Sequence, residues 1–347
     1  MSTEAPPPTT EAAVSPIIDE KAAVPTTPAA TEPIAAAPVA AATASSSTTA
    51  VDQPVADGKI RTPFNAPFPG SVLPPAADLT EPQKTAYDAL LAHCNTIADL
   101  SDTEKCWLTK ECLLRYLRAS KWDVPTAKKR IEATLLWRKE YGVEKLTADY
   151  ISNENETGKQ VILGYDKESR PCLYLKPSEQ NTEKSPKQIQ HLVYMLERVV
   201  DLMPAGQETL ALLINFKSST KSSSPNINQG REVLGILQNH YPERLGRALC
   251  INLPWFVWGF FKVINPFIDP LTREKLKFNE NLCDHVPAEQ LDKDFGGKCD
   301  FVYDHTLFWP ALTKMCDERR AAALQRWEAL GSKIGTSEFE IKGGVAA

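Results

Sequence analysis

After Gly158, short apolar runs alternate with helix-length segments, and this alternation limits the fold more than any other feature of the chain. The runs QVILGY and PCLYLK flank the turn DKESRP, while TLALLINF and RALCINL each follow a segment with helical spacing. A last short run lies at residues 276–278. Strands separated by helices of this length are typical of an α/β sheet with substantial parallel pairing. We therefore predict an α/β lobe over residues 151–330.

Before this lobe, apolar residues recur at spacings of three and four, which indicates helices. The helical stretches are PQKTAYDALLAHC, TEKCWLTKECLLRYLRASKW and VPTAKKRIEATLLWRKEYG. Gly142 ends the third, and a further helical pattern covers residues 307–330. The sequence thus predicts three helices in an N-terminal lobe over residues 58–150, and a C-terminal tail over residues 331–347.

The first 57 residues differ from the rest, since they consist mainly of Ala, Pro, Thr and Ser with almost no large apolar side chain. This composition predicts a disordered tail. It has seven acidic residues and one basic residue, a net charge of −6, so the remainder of the chain has a net charge of +1. A nearly neutral body gives no electrostatic reason to expect a nucleic-acid partner, which would require a basic face.

The N-terminus lacks a basic stretch followed by an apolar core, and no run of about eighteen apolar residues occurs. We therefore expect a soluble, intracellular protein. The cysteines are dispersed without any CxxC spacing, which favours reduced thiols over a metal site or a disulfide framework. They are Cys94, Cys106, Cys112, Cys172, Cys250, Cys283, Cys299 and Cys316.

The segment LPWFVWGFFKVINPFI, residues 253–268, is aromatic and apolar with Lys262 as its only charge. Between Pro254 and Pro266 it predicts a short helix that is apolar all round, and such a helix is either buried on every side or meets lipid. Its length of about 18 Å is too short to cross a hydrocarbon core of about 30 Å. The segment can instead cover a pocket or lie in a membrane surface.

Sequence signatures of common enzymes are missing. The chain contains no GxSxG, GxGxxG, GxxxxGK[ST] or HExxH motif. The run ENETGKQ has a Gly-Lys pair, but it lacks the upstream glycine and the hydroxyl residue of a phosphate-binding loop. We therefore predict a binding protein without catalytic residues, cofactor or metal.

Five motifs follow one another between residues 113 and 298: LLRYLRASKWDV, YPERLG, NLPW, INPFIDPLTREKL and FGGK. Together they resemble the CRAL-TRIO family, and more narrowly its fungal phosphatidylinositol transfer proteins, over residues 82–327. The resemblance implies a helical N-terminal lobe, followed by an α/β lobe with a lipid-sized hydrophobic cavity and a mobile gate helix. The gate would comprise the aromatic segment, with its side chains Trp255, Phe256, Trp258, Phe260 and Phe261.

The resemblance also implies a site for the phosphatidylinositol headgroup. Glu243 would accept hydrogen bonds from inositol hydroxyls, and Lys275 would bind the phosphate. Thr272 would add a hydroxyl three residues before Lys275, on the same face if a helix begins there. Without the motif context, Glu243 and Lys275 would be interpreted as surface charges near helix ends, contributing less than about 1 kcal/mol as a pair.

The chain departs from the family pattern after the YLRA stretch, where an Arg-Lys pair is usual and this sequence has Ser120 and Lys121. A serine can donate one neutral hydrogen bond but has no charge. The affinity for phosphate is therefore expected to depend more on Lys121 and Lys275.

A second departure concerns the positions that hold the choline headgroup in founding members of the family. The resemblance places Leu210 and Leu212 at hydroxyl positions on a strand, and Leu173 and Leu196 at tyrosine positions. Leucine offers neither a cation–π contact to a quaternary ammonium nor a hydroxyl for phosphate. We expect the second ligand to be a weakly polar lipid, with a sterol favoured over phosphatidylcholine. The alternative is that the leucines are ordinary core residues.

The expected function is therefore exchange of one shielded lipid between membranes, which supplies phosphatidylinositol indirectly to lipid kinases. The partners would be phosphatidylinositol, a sterol and, transiently, a membrane surface. The expected location is the cytoplasm, with peripheral attachment to endoplasmic reticulum or lipid droplets. Two alternatives stay open: a sterol carrier with a vestigial phosphoinositide site, and a lipid-sensing scaffold that docks a partner through its acidic tail.

Overall fold

Five strands form one mixed sheet, as the alternation of apolar runs and helices predicts. The computed structural model describes residues 57–75, 78–223 and 226–345, and the predicted disordered tail lies outside these ranges except for Asp57. The strands pair in sequence order, with β1 and β2 antiparallel and the other neighbours parallel. They are β1 (Gln160–Tyr165), β2 (Pro171–Leu175), β3 (Leu210–Asn215), β4 (Leu245–Ile251) and β5 (Leu276–Phe278).

Helices precede the sheet. They are α1 (Glu81–Cys94), α2 (Asp102–Trp107), α3 (Lys110–Ala119), α4 (Val124–Tyr141) and α5 (Ala148–Ile151). The prediction of three helices was wrong in one respect, because the second stretch is divided into α2 and α3. The side chain of Thr109 accepts a bond from the backbone N–H of Cys112, and this cap starts a new helix. Gly142, at φ 74°, ends α4 as predicted.

The remaining helices lie between or after the strands. They are α6 (Pro186–Leu202), α7 (Ile227–His240), α8 (Trp255–Ile264), α9 (Pro270–Glu274), α10 (His305–Ala329) and α11 (Glu338–Ile341). None of the helices in the described ranges combines enough length and apolar character to span a bilayer. The eight cysteines are free thiols.

The two faces of the sheet are covered by different segments. The register pairs Leu173 with Leu212 and Leu212 with Ala248, so these side chains point to one face together with Leu210 and Ile214. Helix α8 packs on this face, which we call the α8 face. On the opposite face the ring of Phe295 lies 4.7 Å from that of Tyr174.

Leu212 and Ile214 retain solvent-accessible surface although they lie on the central strand, beneath α8. Leu213, which points to the other face, is fully buried. Protein interiors are normally close-packed, so accessible surface in the middle of a covered sheet indicates unfilled space beside it. The unfilled space lies on the α8 face.

Segments at both ends of the described chain join the lobes together. Residue Ile60 pairs with the strand-like backbone at Phe301: its N–H donates to the carbonyl of Asp300 (3.0 Å), and its carbonyl accepts from the N–H of Val302 (2.9 Å). Helix α11 lies within the range expected to be a C-terminal tail, because one helical turn is too short to produce a readable periodicity. It packs against α3 and α10.

A buried histidine on α6 gives stability a predictable dependence on pH. His191 has no exposed surface, and burial together with the nearby charge of Lys159 lowers its pKa to about 3. Above pH 6.5 both the folded and the unfolded chain have this histidine neutral. As the pH falls from 6.5 towards 3, only the unfolded chain takes up the proton, so the folded state loses stability.

We therefore expect His191→Leu to reduce the slope of unfolding free energy against pH by about 1.4 kcal/mol per pH unit between pH 4.5 and 6. Urea denaturation at several pH values measures this slope. Glu197, whose pKa the charge of Arg138 lowers to about 2 despite burial, is present in both proteins, so its contribution to the slope cancels in the comparison. Equal slopes for the two proteins would contradict the assignment.

Candidate lipid-binding site

Glu243 and Lys275 face each other across one cleft. The Lys275 Nζ lies 3.9 Å from the Glu243 Oε2, and the two side chains are 27% and 29% exposed. The cleft has a volume of about 450 Å³ and is lined by Glu243, Gly246, Arg247, Glu274, Lys275, Lys277 and His285. Two residues far apart in sequence are thus brought to one polar site.

The parallel pairing of β4 with β5 positions both residues. Glu243 lies in the turn just before β4, and Lys275 lies just before β5, so both lie at the same edge of the sheet. The carbonyl of Lys275 accepts a bond from the N–H of Ala248 (2.9 Å), which fixes its backbone beside β4. Glu243 has φ 58°, a left-handed conformation that is uncommon for a residue with a side chain.

Thr272 lies on α9, one turn before Lys275. The stretch does begin a helix, because the carboxylate of Asp269 accepts a bond from the N–H of Thr272 (2.8 Å). Thr272 is outside the set of residues that line the cleft. It therefore lies near the predicted phosphate position without contacting the cleft directly.

Ser120 and Lys121 lie in the other lobe, at the end of α3. Their hydrogen bonds are local, from the Ser120 N–H to Tyr116 O and from the Lys121 N–H to Arg118 O (3.0 Å each). The hydroxyl of Ser120 is buried and has no hydrogen-bond partner among the residues that the structure describes. It therefore makes no direct bond to Glu243 or Lys275.

Arg130 connects this end of α3 with the end of α7. Its guanidinium donates to the carbonyl of Ala119 (2.8 Å) and to the carbonyl of Gln238 (2.6 Å). Gln238 precedes Glu243 by five residues. The predicted phosphate residues of the helical lobe are therefore held beside the segment that leads into the cleft.

The four leucines predicted to replace the choline site belong to one apolar cluster. Leu173, Leu210 and Leu212 point to the α8 face, and Leu196 joins the same cluster from α6. Leu173, Leu196 and Leu210 are buried, whereas Leu212 is partly buried. Three of the four leucines are therefore packed in the core, and Leu212 is the one that keeps accessible surface on the α8 face.

Helix α8 has an inner and an outer side. Val257 and Ile264 are buried, and the rings of Phe261 and Phe278 lie 5.1 Å apart over the sheet. Phe256 and Phe260 are also partly buried. On the outer side, Trp255 is 74% exposed. Trp258 lies at the flank of the helix, 41% exposed and with its ring 5.1 Å from that of Phe278. The sequence left two alternatives for this segment, a helix buried on every side or a helix that meets lipid. The exposed tryptophans exclude the first.

Two family models match the chain: the CRAL/TRIO domain over residues 155–297 and the CRAL/TRIO N-terminal domain over residues 86–133. The phosphatidylinositol transfer protein PDR17 of Saccharomyces cerevisiae is 44% identical over 256 residues, which cover 70% of this chain and 73% of that protein. The chain belongs to the CRAL-TRIO family. Membership confirms the family and the fold class that the sequence motifs predict.

Further similarities agree with this assignment. A CRAL-TRIO domain-containing protein of Schizosaccharomyces pombe is 55% identical over 303 residues, or 83% of this chain, and the chain spans 30% of that relative's length. The SEC14 cytosolic factor of Candida glabrata is 32% identical over 217 residues, 56% of this chain and 72% of that protein. The crystal structure of Sfh5 shares the fold, with a TM-score of 0.52 at 16% identity over 67% of this chain and 93% of that one.

Three residues of the cleft were missed by the sequence reasoning. Lys277 lies on β5, two residues after Lys275, and this spacing could have indicated that both lie on one side. Arg247 and His285 depend on tertiary contacts: the guanidinium lies 2.6 Å from the His285 Nδ1 and pairs with the carboxylate of Glu168. The cleft of this CRAL-TRIO protein therefore contains two cationic side chains, Arg247 and Lys277, that the motifs alone do not indicate.

The contact between α7 and α8 predicts how α8, which the sequence predicts to be a gate helix, can be loosened. A Cβ atom at Gly230 would lie 2.7 Å from both Phe260 Cζ and Ile264 Cδ1, whereas a Cβ at Gly235 would meet nothing within 4 Å. We expect Gly230→Ala to displace α8 and to accelerate lipid exchange severalfold. Exchange rates of a fluorescent lipid between vesicles measure the effect.

Gly235→Ala is the matched control, since both glycines lie on α7. Through helix propensity alone, either substitution should stabilise α7 by about 1 kcal/mol. We expect Gly235→Ala to leave the exchange rate unchanged and to raise stability. Equal exchange rates for the two variants would show that the Gly230 contact does not hold the gate.

Proposed function

We propose that this CRAL-TRIO protein binds phosphatidylinositol with its headgroup in the cleft of Glu243 and Lys275, and transfers the lipid between membranes. The main support for this proposal is the distance of 3.9 Å between these two opposite charges. A charge-assisted hydrogen bond would be about 2.7–2.9 Å long. Both groups therefore keep bonding capacity, the carboxylate for inositol hydroxyls and the ammonium for a phosphate oxygen.

Ser120 and Lys121 support a second contact to the phosphate. Within the described part of the chain the buried Ser120 hydroxyl lacks a partner, and an unsatisfied buried polar group costs about 1–3 kcal/mol. A phosphate oxygen of the bound lipid would satisfy this hydroxyl, while Lys121 and Lys275 would supply the positive charge, since Ser120 stands where an arginine is usual. Thr272 contributes a further hydroxyl one turn before Lys275.

The apolar surface of the α8 face would shield the hydrocarbon of the bound lipid. Leu212 and Ile214 retain accessible surface there, which a hydrocarbon ligand would remove from water. The leucines at 173, 196, 210 and 212 offer no group that holds a choline. We therefore propose a sterol, or another weakly polar lipid, as the second ligand in place of phosphatidylcholine.

In this proposal α8 opens at a membrane surface, where the exposed Trp255 and Trp258 rings are stable with one edge in water. The transfer unit comprises residues 58–150 and 151–330, preceded by a tail, 1–57, and followed by a C-terminal segment, 331–347. The protein acts without a catalytic step, in the cytoplasm and peripherally on endoplasmic reticulum or lipid droplets. It supplies phosphatidylinositol indirectly to lipid kinases.

Transfer of labelled lipids between vesicles tests the proposal, with phosphatidylinositol, cholesterol or ergosterol, and phosphatidylcholine as three separate cargoes. We expect transfer of phosphatidylinositol and of sterol, and little transfer of phosphatidylcholine. Absence of phosphatidylinositol transfer would overturn the headgroup assignment. Transfer of phosphatidylcholine without sterol binding would overturn the argument from the leucines.

A further inference from the structure

The outer side of α8 and its neighbours forms an exposed apolar surface. Its members are large hydrophobic residues with exposed fractions between 41% and 74%: Ile227, Trp255, Trp258, Val263 and Phe267. Helix α7 contributes Ile227, α8 contributes the next three, and the turn after α8 contributes Phe267. We call this set the aromatic patch. Exposed patches of this kind mark interaction sites in soluble proteins.

Basic side chains are held directly at the edges of the aromatic patch. The Lys221 ammonium lies 4.8 Å from the centroid of the Trp255 ring, and the Arg231 guanidinium carbon lies 4.5 Å from that of Phe267. Arg273 donates to the carbonyl of Asn265 (3.1 Å), beside the same turn. Lys262 is exposed on α8 itself. The patch is therefore bordered by four positive charges from four segments.

The acidic residues near the aromatic patch are fewer than its basic residues. Glu232 of α7 is exposed beside Arg231, whereas Glu274 of α9 lines the headgroup cleft. Asp269 caps the N-terminus of α9 through the N–H of Thr272. Helix α8 contains no acidic residue. The four cations at the aromatic patch therefore outnumber the nearby carboxylates of Glu232 and Asp269, although the whole chain has a net charge of −5.

We propose that the aromatic patch, with Lys221, Arg231, Lys262 and Arg273, docks on anionic bilayers. The aromatic rings insert at the level of the headgroups, and the basic groups at the rim contact lipid phosphates and carboxylates. This proposal deepens the proposed function, on which it rests, because it names the chemistry of the membrane that the gate meets. Zwitterionic bilayers satisfy the rings but offer no net negative surface charge to the four cations.

Sedimentation of the full chain with vesicles tests the proposal. One set of vesicles contains phosphatidylcholine alone, and the other contains phosphatidylcholine with phosphatidylserine. Neither contains phosphatidylinositol, so binding in the headgroup cleft is not measured. We expect much stronger binding to the anionic vesicles, a marked decrease at high salt, and about five-fold weaker binding for each of Lys221→Gln and Arg231→Gln.

Lys314→Gln is the control for loss of a positive charge, because Lys314 lies on α10 with 76% of its side chain exposed. It should bind anionic vesicles as the unaltered chain does. Trp255→Ala should weaken binding to both kinds of vesicle. Equal binding of the unaltered chain to neutral and anionic vesicles would overturn the proposal, as would a Lys314→Gln effect as large as that of Lys221→Gln.

The two proposals fail separately. A chain that binds anionic vesicles through the aromatic patch but does not transfer phosphatidylinositol would contradict only the proposed function. A chain that transfers phosphatidylinositol but binds neutral vesicles equally well would contradict only the docking surface.

Discussion

Replacing Lys275 by alanine is expected to lower phosphatidylinositol transfer by about 10- to 100-fold, because a hydrogen bond to a charged group contributes about 1.5–3 kcal/mol. The ammonium is the cation nearest to Glu243 in the cleft, and the substitution removes it without changing the apolar α8 face. Vesicle transfer assays with labelled phosphatidylinositol measure the loss.

The same variant distinguishes the proposed function from a sterol carrier with a vestigial headgroup site. Sterol transfer by Lys275→Ala should stay close to that of the unaltered chain, since a sterol has no phosphate. If phosphatidylinositol transfer is also unchanged, the headgroup assignment is wrong. Lys314→Ala controls for the loss of one lysine, because it removes a charge from the exposed side of α10.

A second large effect is expected at Glu338. Replacing Glu338 by alanine should lower the free energy of unfolding by about 3–5 kcal/mol. Its carboxylate lies 3.0 Å from Arg115 on α3, and the two side chains are only 10% and 4% exposed. Arg244, next to Glu243, approaches the same carboxylate at 3.9 Å. Removing the carboxylate leaves buried guanidinium groups without one of their counter-charges.

The charge state of Glu338 supports this expectation. Burial alone raises the pKa of a carboxyl group, but the charges of Arg115, Arg244 and Lys342 outweigh it and hold the pKa of Glu338 well below its usual range. The carboxylate is therefore ionised in the folded protein at neutral pH. Its stabilising contribution is present above the unfolded-state pKa and is lost as the pH falls towards the folded-state value.

Urea denaturation of the full chain measures the loss of stability, with Glu340→Ala as the matched control. Glu340 lies on the same short helix and is exposed, so its removal should change the unfolding free energy by less than about 0.5 kcal/mol. Similar values for Glu338→Ala and Glu340→Ala would show that α11 does not join the lobes through this ion pair.

The site was predictable only in part, and the reason differs from residue to residue. Lys275 and Glu243 lie in motifs that follow one another in the order typical of the family, so the sequence was enough to predict them as site residues. Arg247 and His285 lie outside these motifs, and they reach the cleft because β4 and the segment after β5 are adjacent in space. The contact of Glu338 with Arg115 joins residues 223 positions apart, and no local pattern records it.

By itself, the sequence determined the mixed sheet, the helical lobe, the aromatic segment and the family. Hydrophobic periodicity is a local property of the chain, and the order of the motifs is read along it without any tertiary contact. Only the tertiary structure decided that Trp255 faces outwards while Phe261 faces the sheet, since a helix apolar all round has no preferred side until its neighbours pack. It also decided that Leu173 and Leu212 share a face, because strand register fixes which side chains meet.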